Sequence, residues 1–484
     1  MDHPITADSA SRFEAYVEGL VSVIGHADRA RPLRDYCVGL MMPCERKSVE
    51  PMAAVTAPER TAAQHQSLLH FVGEGRWSDE KVLAKVREMV LPEIVRHGQI
   101  EAWIIDDTGF PKQGRHSVGV ARQYCGQLGK QDNCQVAVSL SIANRHASLP
   151  VAYRLYLPEQ WVADDDRRRK TGVPEDIRFR TKPEIALEQI RAASAAGLPL
   201  GVVLMDAGYG CNTELRSSIS ALGLTYVAGI LPNTTVWAPG MAPLRPKTWS
   251  GRGRPPKLIR RDRNHRPTSV KELALSLPAK AWRKIAWREG SAEQLSSRFA
   301  RLRIRVAHRD YNLTKSRPEE WLLIEWPKGE AEPTKYWFST LPQNITFGNL
   351  VDLTKLRWRI ERLSGTEAGG RARAFRRARM AWLPPSRHTL HRGLRIPDLR
   401  RGDDSPLSTS FHRDVPGACH SRRSQTQRFY RCGPSGTFQT PLRPCADGSF
   451  SPSSTTCRDV RAAPLRSKTW RSTKIYDAVR LAVC

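Results

Sequence analysis

Residues 102–114 read AWIIDDTGFPKQG. Trp103, Ile104 and Ile105 form a short apolar run of the kind that builds a buried strand, and the run stops on two acids, Asp106 and Asp107. Thr108, Gly109 and Pro111 then supply turn chemistry. A carboxylate at the end of a core strand costs free energy unless something pairs with it. A divalent cation, which takes oxygen ligands, is one such partner. The alternative is a solvated strand end that carries two surface acids.

A second stretch repeats the pattern. In GVVLMDAGYG, residues 201–210, the run Val202 to Met205 ends on Asp206, followed by Gly208 and Gly210. Two such strand ends in one α/β region bring Asp107 and Asp206 side by side, and two adjacent carboxylates repel unless a cation bridges them. A third acid comes later, in LVDLTKLRWRIER, residues 350–362. Leu350, Leu353, Leu356 and Ile360 follow helical spacing and place Glu361 in the last turn, with Arg357 four residues before it on the same face. Two aspartates on strands and a glutamate on a helix suit a pair of Mg²⁺ ions about 4 Å apart, which would activate an attacking oxygen and stabilise a leaving one.

The order of elements around these acids is informative. Trp103–Ile105, Gln135–Ala143 and Val151–Leu157 read as three antiparallel strands. A helix over Lys182–Ala196, a parallel strand ending at Asp206 and a fifth strand over Tyr226–Ile230 follow. That is the ribonuclease-H order, a mixed sheet of five strands. The run DDDRRRK, residues 164–170, reads as a loop.

The sequence resembles the DDE transposases of bacterial insertion sequences, and within the IS4-like group the family numbered seven-hundred-and-one. The resemblance rests on DDTGFPKQGRHSVGVARQYCGQLGKQDNCQVAVSLSIAN (106–144), LMDAGYG (204–210) and LRWRIER (356–362). It implies an α/β fold with a ribonuclease-H-like core, and metal-dependent cleavage of an element's ends with strand transfer to target DNA. By matching motifs, Asp107, Asp206 and Glu361 would be catalytic residues and ligands of Mg²⁺ or Mn²⁺, with Asp106 the alternative for the first position. The implied partners are double-stranded DNA, as terminal inverted repeats and as target, and a second copy of the chain in the DNA complex. A structure-selective nuclease of the same fold and a non-catalytic DNA-binding remnant are the competing functional readings.

Composition agrees with a polyanionic partner. The 484-residue chain carries a net charge of +29. No apolar run approaches the roughly 20 residues of a membrane span. The first residues, MDHPITADSASRFEAYVEGL, lack the basic start and apolar core of a signal peptide. The ten cysteines form no CxxC pair, which argues against a zinc site. Reduced thiols fit a cytoplasmic, nucleoid-associated location.

Four regions follow. Residues 1–95 read as a helical domain suited to binding DNA ends, with Ser9 or Ser11 as a cap and further helices over Leu68–Phe71 and Asp79–Val95. Residues 96–231 and 346–362 form the catalytic core, and 232–345 a β-rich insertion with strands at Arg301–Val306, Trp321–Trp326 and Tyr336–Ser339. The insertion opens with SGRGRPPK, residues 250–257, whose Arg252 and Arg254 flank a glycine as in an AT-hook. That motif lays arginines into a narrow minor groove; a basic flexible loop is the alternative. Its tryptophans suit core packing, or stacking on unpaired bases.

Residues 363–484 differ from the rest. They hold 23 basic and 8 acidic residues, a surplus of +15 that leaves +14 for the first 362. Two of the 23 are Lys, and no helical or strand period persists, as in a basic disordered tail. The family's glutamate helix continues through a pattern like ERDYQELK, whereas this chain reads ERLSGTEA. Synonymous codons for Leu363–Arg376 can be chosen so that a one-base shift reads YQELKQEVGLGHF, the family's continuation. The resemblance therefore implies a reading frame lost just after Arg362, with Ala368 where the family has a DNA-contacting lysine.

Overall fold

The computed structural model describes residues 7–44, 47–289 and 294–360. Five helices come first: α1 (Ala7–Val21), α2 (Ala30–Met41), α3 (Val49–Thr56), α4 (Thr61–Gly73) and α5 (Asp79–Arg96). Ser9 and Ser11 lie inside α1 rather than capping it. α2 buries Leu33, Tyr36, Cys37 and Leu40, a helical repeat that Pro32 and Gly39 obscure in the sequence. At α5, Ser78 accepts from the Lys81 N–H at 3.3 Å, and Asp79 and Glu80 complement the dipole of the first turn. Val82, Val86 and Ile94 of α5 join Val17, Leu20, Trp103 and Ile105 in one apolar cluster, so the helices share a core with the sheet. Asn144 donates to the carbonyls of Ile94 (3.0 Å) and Gly98 (2.8 Å) and ties α5 to that sheet.

The central segment holds β1 (Ala102–Pro111), β2 (Ala121–Cys125), β3 (Lys130–Ala143), β4 (Ser148–Leu155), α6 (Glu159–Val162), α7 (Asp165–Thr171), α8 (Lys182–Ala195), β5 (Val202–Met205), α9 (Ala207–Gly210), α10 (Thr213–Ala221) and β6 (Tyr226–Ile230). β3 is antiparallel to β1 and β4, and β5 is parallel to β1 and β6. The resulting order β4-β3-β1-β5-β6 is that of a ribonuclease-H-like core, in a mixed α/β fold. Three local expectations in this segment need correction. β1 does not stop at its two acids: it runs on through Asp106, Asp107 and the stretch Thr108–Pro111 expected to turn, because the long β3 pairs with it along its whole length. β2 was not anticipated, because it is a five-residue edge strand that buries only Cys125 and carries no apolar run. DDDRRRK is a helix, α7, and not a loop. Asp164 accepts from the Arg167 N–H at 2.9 Å, acids occupy its first turn and bases its last, and Gly172 closes it in the left-handed conformation at φ 67°.

The sheet does not stop at five strands. The remaining elements are β7 (Thr235–Trp237), β8 (Thr268–Ser269), α11 (Val270–Leu275), β9 (Arg283–Glu289), β10 (Gln294–Val306), β11 (Glu319–Trp326), β12 (Lys335–Ser339) and α12 (Phe347–Lys355). β12 pairs with β6, and the sheet runs on through β11, β10, β7 and β8, with β9 on β10, to twelve strands among the described residues. The expectation of five strands counted the core and missed this continuous extension, because strand pairing across a hundred intervening residues leaves no local signal. The segment between β6 and α12 is β-rich, as expected.

α12 packs on one face of the sheet through Leu350 and Val351, joined by Leu356 and Ile360 beyond its end, against Ile104, Leu204, Phe299 and Leu323. Its last residue, Lys355, packs half-buried against the buried Glu325 of β11, with Nζ 2.7 and 2.6 Å from the two carboxylate oxygens. The Trp287 ring lies 4.5 Å from the same ammonium. Among the described residues the five cysteines, Cys37, Cys44, Cys125, Cys134 and Cys211, are free thiols, and no helix is long and apolar enough to cross a membrane.

Glu325→Ala removes the carboxylate facing the half-buried Lys355 ammonium, and it should destabilise the protein by about 1–3 kcal/mol in urea unfolding. Glu325→Leu combined with Lys355→Met should recover most of that loss. A double variant as unstable as the single one contradicts the ion pair as the anchor of α12.

Candidate active site

Strand alternation sends the two neighbouring acids of β1 in opposite directions. Ala102 and Ile104 belong to the core beneath α12, whereas Trp103 and Ile105 belong to the core beneath α8 and α10. Asp106 therefore follows Ile104 toward α12, and Asp107 follows Ile105 toward α8. The contacts agree. Arg357 Nη2 lies 2.7 Å from Asp106 Oδ1. Lys182, the first residue of α8, places Nζ 2.5 Å from Asp107 Oδ2, and the Tyr209 hydroxyl donates to Asp107 Oδ1.

Asp206 leaves the end of β5 and caps α9. Its Oδ1 accepts from the N–H groups of Gly208 at 2.9 Å and Tyr209 at 3.3 Å. Its Oδ2 faces Arg357 Nη2 at 3.8 Å. The parallel register pairs Ile104 with Leu204, so Asp106 and Asp206, each two residues further on, emerge level with each other. The glycines of LMDAGYG are needed for this turn: a Cβ on Gly210 would overlap the Gly229 carbonyl of β6, so α9 can lie this close only without a side chain there.

One guanidinium thus serves two carboxylates. Burial pushes the Asp106 carboxyl up to about 6. Arg357 opposes that shift, Asp206 adds to it, and the Asp107 N–H, donating to Asp106 Oδ1 at 2.9 Å, opposes it. Burial and then Asp107 push the Tyr209 phenol far above its ordinary value, so it stays protonated and acts as a donor. The Lys182 ammonium neutralises Asp107 on the far side of the strand.

Asp106 and Asp206 are hard oxygen donors, converge on one cation and are partly solvated, a set that fits Mg²⁺ or Mn²⁺. Among the described residues no group of three or more His, Cys, Asp or Glu side chains gathers to hold a metal. The third acid expected from the sequence, Glu361, lies outside the described residues, as does the proposed tail from 363 onward. Arg357 sits in a turn just after α12, before a short helical return at Trp358–Ile360. Arg252 and Arg254 stand on a separate exposed loop, bent at Gly251 (φ 83°) and Gly253 (φ 73°). Sequence reasoning missed Lys182 and Tyr209. Tyr209 lies inside the LMDAGYG motif, but nothing local signals that Lys182 reaches Asp107.

Residues 19–294 match the family described as DDE superfamily endonuclease. The chain is also 30% identical over 197 residues to a protein named as a probable transposase for insertion sequence element IS701, from Microchaete diplosiphon. That match covers 40% of this chain and 47% of the other protein, so the chain spans about half the length of the curated relative it matches.

A carboxyl raised in the folded state binds its proton more tightly there than in the unfolded chain. Metal-free protein should therefore lose stability as pH rises from the ordinary carboxylate value of 3.8 through about 6. Asp106→Asn should flatten that part of the stability profile in thermal melts across this range, and an unchanged slope contradicts the assignment of the shift to Asp106.

Proposed function

The chain belongs to the DDE superfamily of endonucleases, and from that membership we propose that it is the transposase of an insertion sequence, cutting double-stranded DNA at terminal inverted repeats and joining the freed ends to target DNA. The observation that carries the reading is the pair of carboxylates, Asp106 within β1 and Asp206 at the end of β5, sharing the Arg357 guanidinium. Bound between such acids, Mg²⁺ or Mn²⁺ would activate the attacking oxygen and stabilise the leaving one. Asp106 and Asp206 hold two of the ligand positions in this proposal and Glu361 the third.

The first position thus moves by one residue from Asp107. Support comes from the level register of Asp106 with Asp206 and from the shared cation. Asp107 becomes a brace. It accepts from Tyr209, whose own backbone N–H orients Asp206, and Lys182 cancels its charge so that it adds little to the repulsion at the site. Arg357 holds the two carboxylates together; a cation bound between them would replace that pairing, and the guanidinium would then be placed to contact a DNA phosphate. Arg252 and Arg254 are proposed as minor-groove contacts, with two copies of the chain acting together on DNA in the cytoplasm. The tail after Arg362 is proposed to be out-of-frame translation that impairs activity, because Glu361 then lacks the following turns of its helix.

Cleavage of a labelled duplex carrying the element's ends, with Mg²⁺ or Mn²⁺, tests these points in the chain with its frame restored after Arg362. Asp106→Asn and Asp206→Asn should abolish cleavage, and Asp107→Asn should slow it roughly 10–100-fold, as loss of an outer-shell partner does. Activity in Asp106→Asn with none in Asp107→Asn returns the first position to Asp107. Equal activity with and without frame repair contradicts the account of the tail.

A further inference from the structure

On β10, Phe299 points into the core beneath α12, and Ile304 and Val306 point into the core on the opposite face. Arg301, Arg303 and Arg305 share the parity of Phe299, so they continue in one row along the face of the sheet that carries Asp106. Arg283 of β9 pairs with Phe299 and extends the row. Successive members on one strand are about 7 Å apart.

The row is crowded with positive charge. Burial, then the charge of Arg283, lowers the proton affinity of Arg301. Trp321, opposite Arg303 on β11, lies 4.7 Å from the Arg301 guanidinium and 5.0 Å from that of Arg303. Phe347 at the start of α12 lies 4.9 Å from Arg301. The rings lie within cation–π distance of the guanidiniums. Arg303 also donates to the Glu319 carbonyl and Arg305 to the Arg317 carbonyl at 2.8 Å, and each five-donor guanidinium has further N–H groups for anionic oxygens. Arg301 also donates to the Ile345 carbonyl at 2.8 Å. Among the described residues the row's one ion pair is Arg305 with Glu319, at 3.1 Å. Glu325 is committed to Lys355, and Glu320, bonded to Tyr226, also feels the Arg303 charge. Like charges about 7 Å apart on a half-buried face repel, and a polyanion lying along them reverses that cost.

We propose that Arg283, Arg301, Arg303 and Arg305 form a track for the sugar–phosphate backbone of duplex DNA, carrying the helix across the β9–β11 extension away from the Asp106–Asp206 site. The proposal rests on the DNA-cutting reading above and adds a contact surface separate from Arg252, Arg254 and Arg357. The track binds without regard to sequence, because phosphate contacts position a duplex and base contacts specify it.

The test is a salt titration of duplex binding by the full chain, comparing A·T-rich with G·C-rich DNA. Replacing Arg283, Arg303 and Arg305 together by Gln should make the slope of log K against log salt shallower by roughly 2–3, at about 0.9 per lost phosphate contact. The loss should be equal on both duplexes, and the matching triple Lys variant should keep most of the slope. Arg283→Glu alone, at an exposed position that leaves the fold intact, should lower the slope by about 1. Wild-type binding with slopes unchanged in the Gln and Glu variants overturns the track and leaves the DNA-cutting reading standing. No salt-dependent DNA binding by the wild-type chain overturns both. A loss confined to A·T-rich duplex overturns the track in favour of groove reading.

Discussion

Two carboxylates held level just beyond the paired stretch of neighbouring parallel strands repel, and the cation between them is what makes the arrangement tolerable. Here the register of β1 with β5 creates the repulsion, and Arg357 relieves it. Arg357 lowers the Asp106 carboxyl more than Asp206 raises it, and burial, the largest effect, leaves it raised all the same. A site in that condition favours a cation of higher charge. The same constraint accounts for the opposite face of β1, where Asp107 has its own ammonium and its own hydroxyl donor.

Arg357 can serve that role because the helix just before it is anchored. α12 sits on the sheet through an apolar face and through the partly buried Lys355–Glu325 pair, which lands on β11 rather than on the five core strands. The extension from β12 to β8 is therefore part of what positions the candidate site. It also enlarges the face that carries Asp106 and brings the β10 arginines onto it.

Much of this was legible in the sequence, for reasons that can be named. Apolar runs ending on acids marked β5 and the first half of β1, and leucine spacing marked α12, although the helix ends at Lys355 and a turn at Leu356–Arg357 interrupts the longer helix that the spacing suggested. The family resemblance supplied the ribonuclease-H-like fold. DDDRRRK was misread because α7 is built from capping and charge complementarity, with no apolar stripe to reveal it. β2 was missed because an edge strand needs no apolar alternation. The choice between Asp106 and Asp107 turned on which face each strand position presents. That depends on what packs above and below, and two adjacent letters do not carry it. Parity did hold a clue: Ile104 and Leu204 each stand two residues before an acid, and the parallel register makes those acids neighbours.

The central claim is that Asp106 and Asp206, rather than Asp107 and Asp206, form the cation-binding pair. Direct titration of Mn²⁺ into the DNA-free protein, followed by the loss of free-ion paramagnetic signal, tests it without any catalytic step. Asp106→Asn and Asp206→Asn should each abolish the site, while Asp107→Asn should bind Mn²⁺ with affinity reduced about 10–100-fold. Wild-type affinity in Asp106→Asn, with binding lost in Asp107→Asn, would contradict the account.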